Sequence, residues 1–317
     1  IGKTRFDIDV EAINRNINLP IRDFILRGGK RMRPVLFLTV LKLFDLNYKK
    51  YLDLAFFVEC VHNGTLVIDD IEDNAALRRG KPCLHKIFGI DTAINAGNTM
   101  YFLPLKILLA KKNLTNEQKI RMCRIYSEEM INVHFGQGLD IYWHKNFNGN
   151  VNKSEYMEMC RLKTGSLTRM SIRLACVLAN KSKKIEEAFG KFAETIGIAF
   201  QIKDDVLDLI SEKKFGKSFG NDITEGKFSL PVILTLKNSK KNKKENLLKI
   251  LKLHTRDSRK IKEAIEIIKE NGAVDESVFY ADTLILDAWN QLEKYIPKNK
   301  AKKEFADITS FLTKRDR

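Results

Sequence analysis

Apolar positions recur along this chain at the spacing of amphipathic α-helices over most of its length. Residues 51–68 form one apolar stretch that contains few helix-breaking residues. No convincing run of alternating apolar and polar residues is flanked by turn signals, so the pattern does not predict β-strands. Residues 185–210 show the helical spacing well, with apolar side chains at Phe189, Phe192, Ile196, Phe200 and Val206.

Residues that typically begin helices stand ahead of several of these stretches. Thr115 and Ser154 occupy positions typical of N-caps. Pro34 follows the Gly28–Gly29 break and suits a first helical turn. No linker rich in Pro, Gly or Ser divides the chain. The sequence therefore predicts one all-α domain over residues 1–317, a single large bundle of about a dozen helices.

Composition and the cysteines suggest where the protein is found. Hydrophobic residues make up 44% of the 317 residues, which is enough for a sizeable core. No uninterrupted apolar run reaches about 18 residues, so we expect no membrane span. The first residues lack the pattern of a secretory signal. The five cysteines are scattered and never spaced as CxxC, which favours reduced thiols over a zinc site or a disulfide framework. We predict a cytoplasmic protein.

The net charge of +16 fits three kinds of partner: nucleic acid, an anionic membrane surface or a phosphorylated small molecule. Part of the excess lies in a Lys-rich segment, residues 236–246, which predicts a solvated loop. The other basic residues are interspersed with acidic ones, and no zinc-finger, RNP or helix-turn-helix signature is present. We therefore expect no nucleic-acid partner.

Two short acidic clusters carry the chemistry of the chain. DDIED at residues 69–73 and DDVLD at residues 204–208 share the form DDxxD, and both follow an apolar helical stretch. Residues four apart lie on one helix face, so each cluster pairs like charges, which destabilises a helix. Carboxylates in apolar segments also lose hydration. One cluster alone would more often be a solvated surface patch, but two with matching flanks indicate a cation site. Mg²⁺ fits, because it takes oxygen ligands from carboxylates and substrate phosphates.

The segments around these clusters complete a recognisable pattern. They are GGKRMRP at 28–34, HNGTLVIDDIEDNAALRRGKPCLH at 62–85, LKTGSL at 162–167, FQIKDDVLD at 200–208 and GKSFGNDITEGKFSLP at 216–231. Together they resemble the trans-isoprenyl diphosphate synthases of the polyprenyl synthetase family, from about residue 28 to 235. HNGTLVIDDIEDN, INVHFGQGLDIYW and DITEGKFSLP are most similar to geranylgeranyl diphosphate synthases. The resemblance implies a helical bundle of the isoprenoid synthase type and a homodimer.

The resemblance also implies roles for individual residues. The positions that bind the diphosphate of isopentenyl diphosphate match Lys30, Arg33, His62 and Arg79. Those that bind the allylic diphosphate match Arg78, Lys163, Thr164, Gln201, Lys217 and Lys227. The main magnesium ligands match Asp69, Asp73 and Asp204, with Asp70 and Asp208 in support, for three ions in each active site. The residues expected to carry catalysis are Asp69, Asp70, Asp73, Arg78, Lys163, Asp204 and Lys217. Arginine suits phosphate because its planar fork binds two oxygens at once, and lysine adds a point charge.

The implied reaction needs no protein nucleophile. Mg²⁺ and cationic side chains neutralise the diphosphate of an allylic substrate (dimethylallyl, geranyl or farnesyl) as its carbon–oxygen bond breaks. The double bond of isopentenyl diphosphate, held nearby, then attacks the allylic cation, and the departing diphosphate is the expected base. Water must be excluded, since it would quench the cation.

Product length depends on the depth of the pocket for the growing chain. Gly64 and Thr65, one turn before Asp69, are small, whereas family members that stop at fifteen carbons usually carry an aromatic residue there. Tyr101, Phe102 and His134 match the residues that floor the pocket in some geranylgeranyl diphosphate synthases, although aromatic residues also fill ordinary cores. We expect a twenty-carbon product.

Other functions remain open at this point. A farnesyl or longer-chain synthase would use the same motifs, and a non-catalytic regulatory subunit is disfavoured because both aspartate clusters are intact. A terpene cyclase shares the fold and the first cluster, but it lacks the isopentenyl site that GGKRMRP provides and usually carries a different second motif. A basic nucleic-acid-binding protein would bind less tightly as salt is added, but it leaves both clusters unexplained.

Overall fold

A computed structural model describes residues 4–146, 151–210 and 220–313 of the chain. Within these residues the α-helices are α1 (Val10–Ile13), α2 (Leu19–Leu26), α3 (Met32–Leu43), α4 (Leu52–Glu72), α5 (Leu84–Ile87), α6 (Ile90–Ala110), α7 (Asn116–Asn146), α8 (Lys153–Cys160), α9 (Ser166–Leu178), α10 (Lys183–Ile210), α11 (Asn221–Glu225), α12 (Leu230–Asn238), α13 (Lys241–Lys252), α14 (Ser258–Glu270), α15 (Ala273–Leu292) and α16 (Ala301–Thr313). Two π-helical turns cover Asn14–Asn18 and Arg161–Gly165, and two 3₁₀ turns cover Tyr48–Tyr51 and Glu293–Tyr295. The predicted all-α class is confirmed.

Strand structure, which the sequence pattern does not predict, is confined among the described residues to one hairpin. Strands β1 (Leu77–Arg78) and β2 (Lys81–Pro82) pair antiparallel, with Arg78 opposite Lys81. Arg79 and Gly80 connect them and both have positive φ, of 55° and 74°. A strand of two residues is too short to show an alternating pattern, so the turn chemistry is its only sequence signal.

The predicted helix starts are confirmed at two of three places. Thr115 caps α7, because its Oγ1 accepts from the Gln118 backbone N–H at 3.1 Å while the Gln118 side chain accepts from the Thr115 N–H. Pro34 lies in the first turn of α3. The prediction of Ser154 as a cap is wrong: Asn152 caps α8 in a capping box with Glu155, and Ser154 lies inside the helix. Asn and Ser are similarly good caps, so their order alone does not decide between them.

The chain separates into two compact units. One contains residues 4–34 and 52–113 of the described chain, and the other contains residues 35–51, 114–146, 151–210 and 220–313. The first unit has a core that includes Phe24, Val67 and Met100. The second has a core that includes Tyr156, Ile202 and Leu251. The single domain expected over 1–317 stays a prediction.

In the first unit, α4 packs closely on α6. A Cβ added to Gly64 would lie 2.9 Å from the Gly97 carbonyl oxygen and 3.0 Å from Cε1 of Tyr101. A Cβ added to Gly97 would lie 2.9 Å from Cδ1 of Ile68. Both glycines therefore have a packing reason to be small, since protein interiors leave little room for an extra carbon.

In the second unit, aromatic side chains join α10, α15 and α16. Phe192 meets Trp289 edge-on with ring centroids 5.9 Å apart, and Trp289 stacks on Phe305 at 5.9 Å. Phe189 and Phe305 are fully buried. Burying one such ring contributes about 1.5–3 kcal/mol, so this cluster is a large part of what holds the C-terminal helices in place.

The Lys-rich segment 236–246 is helical, and the prediction of a solvated loop is wrong. It covers the end of α12 and the start of α13, whose Leu247, Ile250 and Leu251 are buried. The lysines of this segment, at the end of α12, just before α13 and in its first turn, are all exposed, so the charge is solvated as expected. The apolar residues that fix the helix come after the charged run, which is why the run alone suggests a loop.

Within the described chain, Tyr48–Glu72 is long and apolar enough to cross a membrane by length and composition. More than half of its most apolar part is buried inside the protein, and a core helix of a soluble protein meets the same criteria. The expected absence of a membrane span therefore stays a prediction.

Candidate functional site

The first aspartate cluster lies at the C-terminal end of α4. Asp69 and Asp73 are half-buried, whereas Asp70 between them is only 1% exposed. The Asp73 backbone N–H donates to the Asp69 carbonyl at 2.9 Å, so the helical turn extends through the cluster. The outer two carboxylates thus share one face, as the four-residue spacing predicts, and the second position of the motif points inward.

Asp70 is held by the first of the two adjacent arginines. Arg78 donates from Nε to Asp70 Oδ1 at 2.6 Å, and its Nη2 reaches Asp69 Oδ2 at 3.4 Å. Burial raises the pKa of Asp70, and the Arg78 charge opposes that rise. Asp70 Oδ2 is buried without a hydrogen-bond partner of normal geometry among the described residues, although the thiol of Cys83 lies close enough to lower the Asp70 pKa slightly. The hairpin β1–β2 aims Arg78 back at α4.

Three of the four residues predicted to bind isopentenyl diphosphate, Arg33, His62 and Arg79, lie close together in the first unit. Arg33, Arg79, Arg78 and Arg31 all lie close enough to His62 to lower its pKa, after burial, which has the largest effect. His62 is therefore neutral near pH 7. Burial lowers the pKa of Arg33 to about 10.

A buried carboxylate that sequence reasoning missed supports this group. Glu59, 5% exposed, accepts from Asn63 Nδ2 at 3.1 Å and forms an ion pair with Arg31. Asn63 Oδ1 in turn accepts from Arg79 Nη2 at 2.9 Å. A Cβ on Gly29 would lie 2.9 Å from Cζ of Arg79, so glycine there leaves room for the guanidinium. An acidic residue inside an apolar helical stretch was the available signal for Glu59.

The second aspartate cluster lies near the C-terminal end of α10, in the second unit. Asp204 is exposed, Asp205 is 5% exposed and Asp208 is half-buried. Asp208 accepts from the backbone N–H groups of Asn221 at 3.3 Å and Asp222 at 2.9 Å, at the start of α11. Burial raises the pKa of Asp222, and the Asp208 charge raises it further.

Asp205 is buried with neutral partners. Tyr156 donates its hydroxyl to Asp205 Oδ2 at 2.6 Å, and Gln201 donates from Nε2 to Asp205 Oδ1 at 2.8 Å. Burial raises the pKa of Asp205 to about 7, a rise that these two hydrogen bonds oppose. Tyr156 itself is 1% exposed. Asp205 could be found from the sequence through its place in DDxxD. Tyr156 lies in none of the motifs associated with the site.

A π-helical turn presents the two predicted substrate-binding residues of LKTGSL. Thr164 donates its hydroxyl to Gln201 Oε1 at 2.8 Å, and Lys163 forms an ion pair with Asp140 of α7 at 2.6 Å. A Cβ on Gly136 of α7 would overlap the backbone of Lys163, and one on Gly197 of α10 would lie 2.8 Å from Cα of Gly165. Both glycines let neighbouring helices approach the turn, and single π-turns are frequent at functional sites.

The remaining predicted residues are placed as follows. Lys30 and His134 are exposed. Thr65 is half-buried and donates its hydroxyl to the His62 carbonyl at 2.8 Å. Lys227 forms an ion pair with Glu225. Tyr101 is 8% exposed and packs on Gly64, whereas Phe102 is 68% exposed. Only Tyr101 has, within one chain, the burial expected of a pocket floor. Lys217 lies outside the described residues.

Among the residues that the structure describes, no group of three or more His, Cys, Asp or Glu side chains is arranged to hold a metal ion alone. Of the aspartates predicted to bind Mg²⁺, Asp69 and Asp73 belong to the first unit and Asp204 to the second. The roles predicted for individual residues stay predictions.

Comparison with known proteins supplies the family. Residues 14–268 match the model of the polyprenyl synthetase family. The chain is 38% identical to a short chain isoprenyl diphosphate synthase of Methanocaldococcus jannaschii, over 84% of this chain and 79% of that one. It is 36% identical to a geranylgeranyl pyrophosphate synthase of Dictyostelium discoideum, over 86% of each chain. A solved geranylgeranyl pyrophosphate synthetase from Pyrococcus horikoshii superposes with a TM-score of 0.87 and 32% identity, over 95% of this chain and 91% of that one. These matches confirm the family that the motifs predict: the chain belongs to the polyprenyl synthetase family.

Proposed function

We propose that this protein is a magnesium-dependent trans-prenyltransferase that condenses isopentenyl diphosphate with allylic diphosphates to give geranylgeranyl diphosphate. The observation that carries the proposal is shared by the two clusters. In each one the second aspartate is buried and held by protein donors, while the first aspartate keeps more solvent exposure, half-buried at Asp69 and exposed at Asp204. Carboxylates left accessible at a costly like-charge spacing are suited to a cation.

The donor set fits Mg²⁺. Asp69, Asp73 and Asp204 offer hard oxygen ligands, with Asp70 and Asp208 in support. Asp70 Oδ2, buried without a hydrogen bond of normal geometry, is one acceptor that a cation would satisfy. Because the described residues hold no complete metal cage, diphosphate oxygens would complete the coordination of three ions, as is common for Mg²⁺. When bound, Mg²⁺ supplies charge neutralisation on the leaving diphosphate.

The basic residues of the chain take the two substrates. The allylic diphosphate is bound by the basic residues Arg78, Lys163, Lys217 and Lys227 and by the polar residues Thr164 and Gln201. They stabilise the negative charge that grows on the diphosphate as the carbon–oxygen bond breaks. Within the described part of the chain, Arg78, Lys163 and Lys227 each form an ion pair with a carboxylate. Diphosphate binding therefore replaces one anionic partner by another.

Isopentenyl diphosphate is held by Lys30, Arg33, His62 and Arg79. His62 contributes a ring N–H donor, and burial together with the nearby arginines lowers its pKa. Arg79 is oriented by Asn63, which keeps the guanidinium fork in one direction. Holding this substrate still beside the allylic cation favours attack by its double bond over capture of the cation by water.

A twenty-carbon product is supported by the names of the relatives and by the small residues before the first cluster. Gly64 is small for a packing reason as well, since α6 leaves no room for a side chain there. Tyr101 is the buried aromatic residue that we propose as part of the floor, and Phe102 and His134 belong to the same proposal. The dimethylallyl, geranyl and farnesyl diphosphates are the expected primers.

A homodimer and a cytoplasmic location form part of the proposal. Exposed apolar side chains on each of two helices support the dimer, because burying them against a second copy would remove apolar surface from water. Those on α6 include Ile94 and Phe102, and those on α7 include Ile131 and Phe135. The five cysteines are free, as expected for a reducing compartment. Sedimentation of the purified chain would measure its mass in solution.

Product analysis tests the function directly. The purified chain is incubated with Mg²⁺, labelled isopentenyl diphosphate and each allylic primer in turn, and the extracted alcohols are sized. Mainly twenty-carbon product supports the proposal; a fifteen-carbon or much longer product overturns the floor at Tyr101, and no incorporation overturns the reaction. Asp69→Asn and Asp204→Asn are each expected to lower kcat by about 10²–10³-fold. Asp287→Asn, at an exposed position of α15, is the matched control and should retain full activity.

A further inference from the structure

An unbroken chain of hydrogen bonds runs through the second unit behind the predicted allylic site. Tyr156 of α8 donates to Asp205 of α10 at 2.6 Å, and Gln201 donates to the other oxygen of the same carboxylate at 2.8 Å. Thr164 of the π-helical turn donates to Gln201 Oε1 at 2.8 Å. Two of these four residues, Gln201 and Thr164, match substrate-binding positions, and two have no assigned role.

We propose that Tyr156 and Asp205 are positioning residues that fix the orientation of the Gln201 amide and, through it, the Thr164 hydroxyl. This inference rests on the proposed function, because it assigns Gln201 and Thr164 to the allylic diphosphate. Tyr156 is 1% exposed and Asp205 is 5% exposed, so both act on the substrate through Gln201.

The direction of the hydrogen bonds follows from the carboxylate. Gln201 donates from its amide N–H₂ to one oxygen of Asp205 and accepts from Thr164 at its carbonyl oxygen, while the other oxygen of Asp205 accepts from Tyr156. The Gln201 side chain could otherwise stand either way round, since its two ends have the same shape. With one N–H on Asp205, the second N–H of the amide is left for a further acceptor, which a diphosphate oxygen provides.

Tyr156 has a specific part in this arrangement. Its hydroxyl donates to Asp205 Oδ2. Without that donor the carboxylate could turn this oxygen toward Gln201 or leave it buried without a partner. The residue is fixed in turn by the start of α8, where Asn152 and Glu155 form the capping box and the Tyr156 backbone N–H donates to the Asn152 carbonyl at 3.0 Å. The same short helix continues into the turn that carries Thr164, so one element sets both ends of the chain of hydrogen bonds.

A purely structural role for Tyr156 would predict a different outcome in kinetics. If the tyrosine only fills the core and satisfies a buried carboxylate, its loss lowers stability but affects both substrates alike in the folded protein. If it positions Gln201 and Thr164, its loss weakens binding of one substrate selectively. The separate KM values for the two diphosphates therefore distinguish the roles.

The test uses Tyr156→Phe in the full chain, with Tyr280→Phe as matched control. Tyr280 packs against the same core, and its ring face, rather than its hydroxyl, meets Lys153. Tyr156→Phe is expected to raise KM for the allylic diphosphate about tenfold, the value of one hydrogen bond to a charged group, and to leave KM for isopentenyl diphosphate within about twofold. Tyr280→Phe should leave both unchanged. Equal changes in both KM values, or none, would overturn the proposal.

Asp205→Asn keeps the test decisive if Tyr156→Phe does not fold. Asparagine has the shape of aspartate but can present an N–H₂ group to Gln201, which reverses the amide and leaves Thr164 without its acceptor. The same selective rise in KM is expected, and its absence would contradict the proposal.

A binding measurement separates this proposal from the proposed function. Calorimetric titration of inorganic diphosphate with Mg²⁺ into the wild-type protein, Tyr156→Phe and Tyr280→Phe needs no turnover. Weaker binding in Tyr156→Phe alone supports the positioning role even if no product forms. Equal binding in all three proteins overturns the role even if the enzyme is active.

Discussion

Asp70 and Asp205 occupy the second position in two copies of one motif, but the protein buries them with opposite kinds of partner. Asp70 faces the guanidinium of Arg78, with which it makes a close ion pair. Asp205 faces a tyrosine hydroxyl and a glutamine amide, neither of which carries a charge. Burial raises the pKa of both carboxyl groups, and only for Asp70 does a direct guanidinium partner oppose the rise.

This difference shows that the DDxxD spacing determines which face of the helix an aspartate lies on, but not which charged or neutral groups surround it. A buried ion pair keeps its carboxylate charged, at the cost of depending on one partner that must not be lost. Neutral donors make a buried carboxylate less dependent on any single partner, because the group can take up a proton instead. The two clusters are therefore expected to respond differently to mutation and to pH.

The largest expected effect is the loss of Arg78. Arg78→Met leaves Asp70 as a buried charge without its cation, and removing one partner of a buried pair typically costs about 3–5 kcal/mol of unfolding free energy. Denaturant unfolding without Mg²⁺ or substrate measures it, so that ligand binding does not contribute.

The matched control for this loss is Arg78→Met combined with Asp70→Asn. The double variant removes the buried charge together with its partner, and it should recover part of the stability, as a double-mutant cycle would show. An Arg78→Met protein as stable as the wild type would mean that Asp70 is neutralised without the arginine, and the contrast between the clusters would fail.

A smaller effect is expected at the second cluster. Tyr156→Phe removes one neutral donor from Asp205, and an unsatisfied buried acceptor costs about 1–3 kcal/mol. Since Asp205 can take up a proton, the loss should lie at the lower end at acidic pH and increase above pH 7. Unfolding curves at both pH values, with Tyr280→Phe alongside, measure this. A loss as large as that of Arg78→Met would contradict the comparison.

The sequence predicts the helices and the family well because both depend on local patterns. Helical spacing over residues 185–210 corresponds to α10 (Lys183–Ile210), and Thr115 caps α7 as its position predicts. The predictions of the residue that caps α8 and of a loop in the Lys-rich segment were wrong for a related reason. Each depends on which of several acceptable local choices the rest of the protein stabilises.

The sequence predicts only those residues of the site that stand in a recognisable motif. The aspartates, the arginine pair and LKTGSL stand in motifs, so their chemistry is visible along the chain. Glu59 and Tyr156 lie in ordinary helical sequence, and only the folded chain brings Tyr156 to Asp205, 49 residues later. The hydrogen bonds from Arg79 to Asn63, from Thr164 to Gln201 and from Tyr156 to Asp205 join residues far apart in the chain, and a single sequence does not encode such contacts in any local pattern.

The smallest expected effect, when taken over a single pH unit, concerns pH, and it arises from Asp205. Its pKa is about 7 in the folded protein against an ordinary value of 3.8. Between those values the unfolded chain has released the proton and the folded chain has kept it, so the free energy of unfolding falls as pH rises. The fall is at most about 1.4 kcal/mol for each pH unit and ends above pH 7.

Asp205→Asn should flatten this slope in the metal-free protein, whereas Asp70→Asn should flatten it less, because Arg78 keeps Asp70 closer to its ordinary pKa. Equal flattening by the two variants would show that the guanidinium and the neutral donors stabilise the buried carboxylates alike.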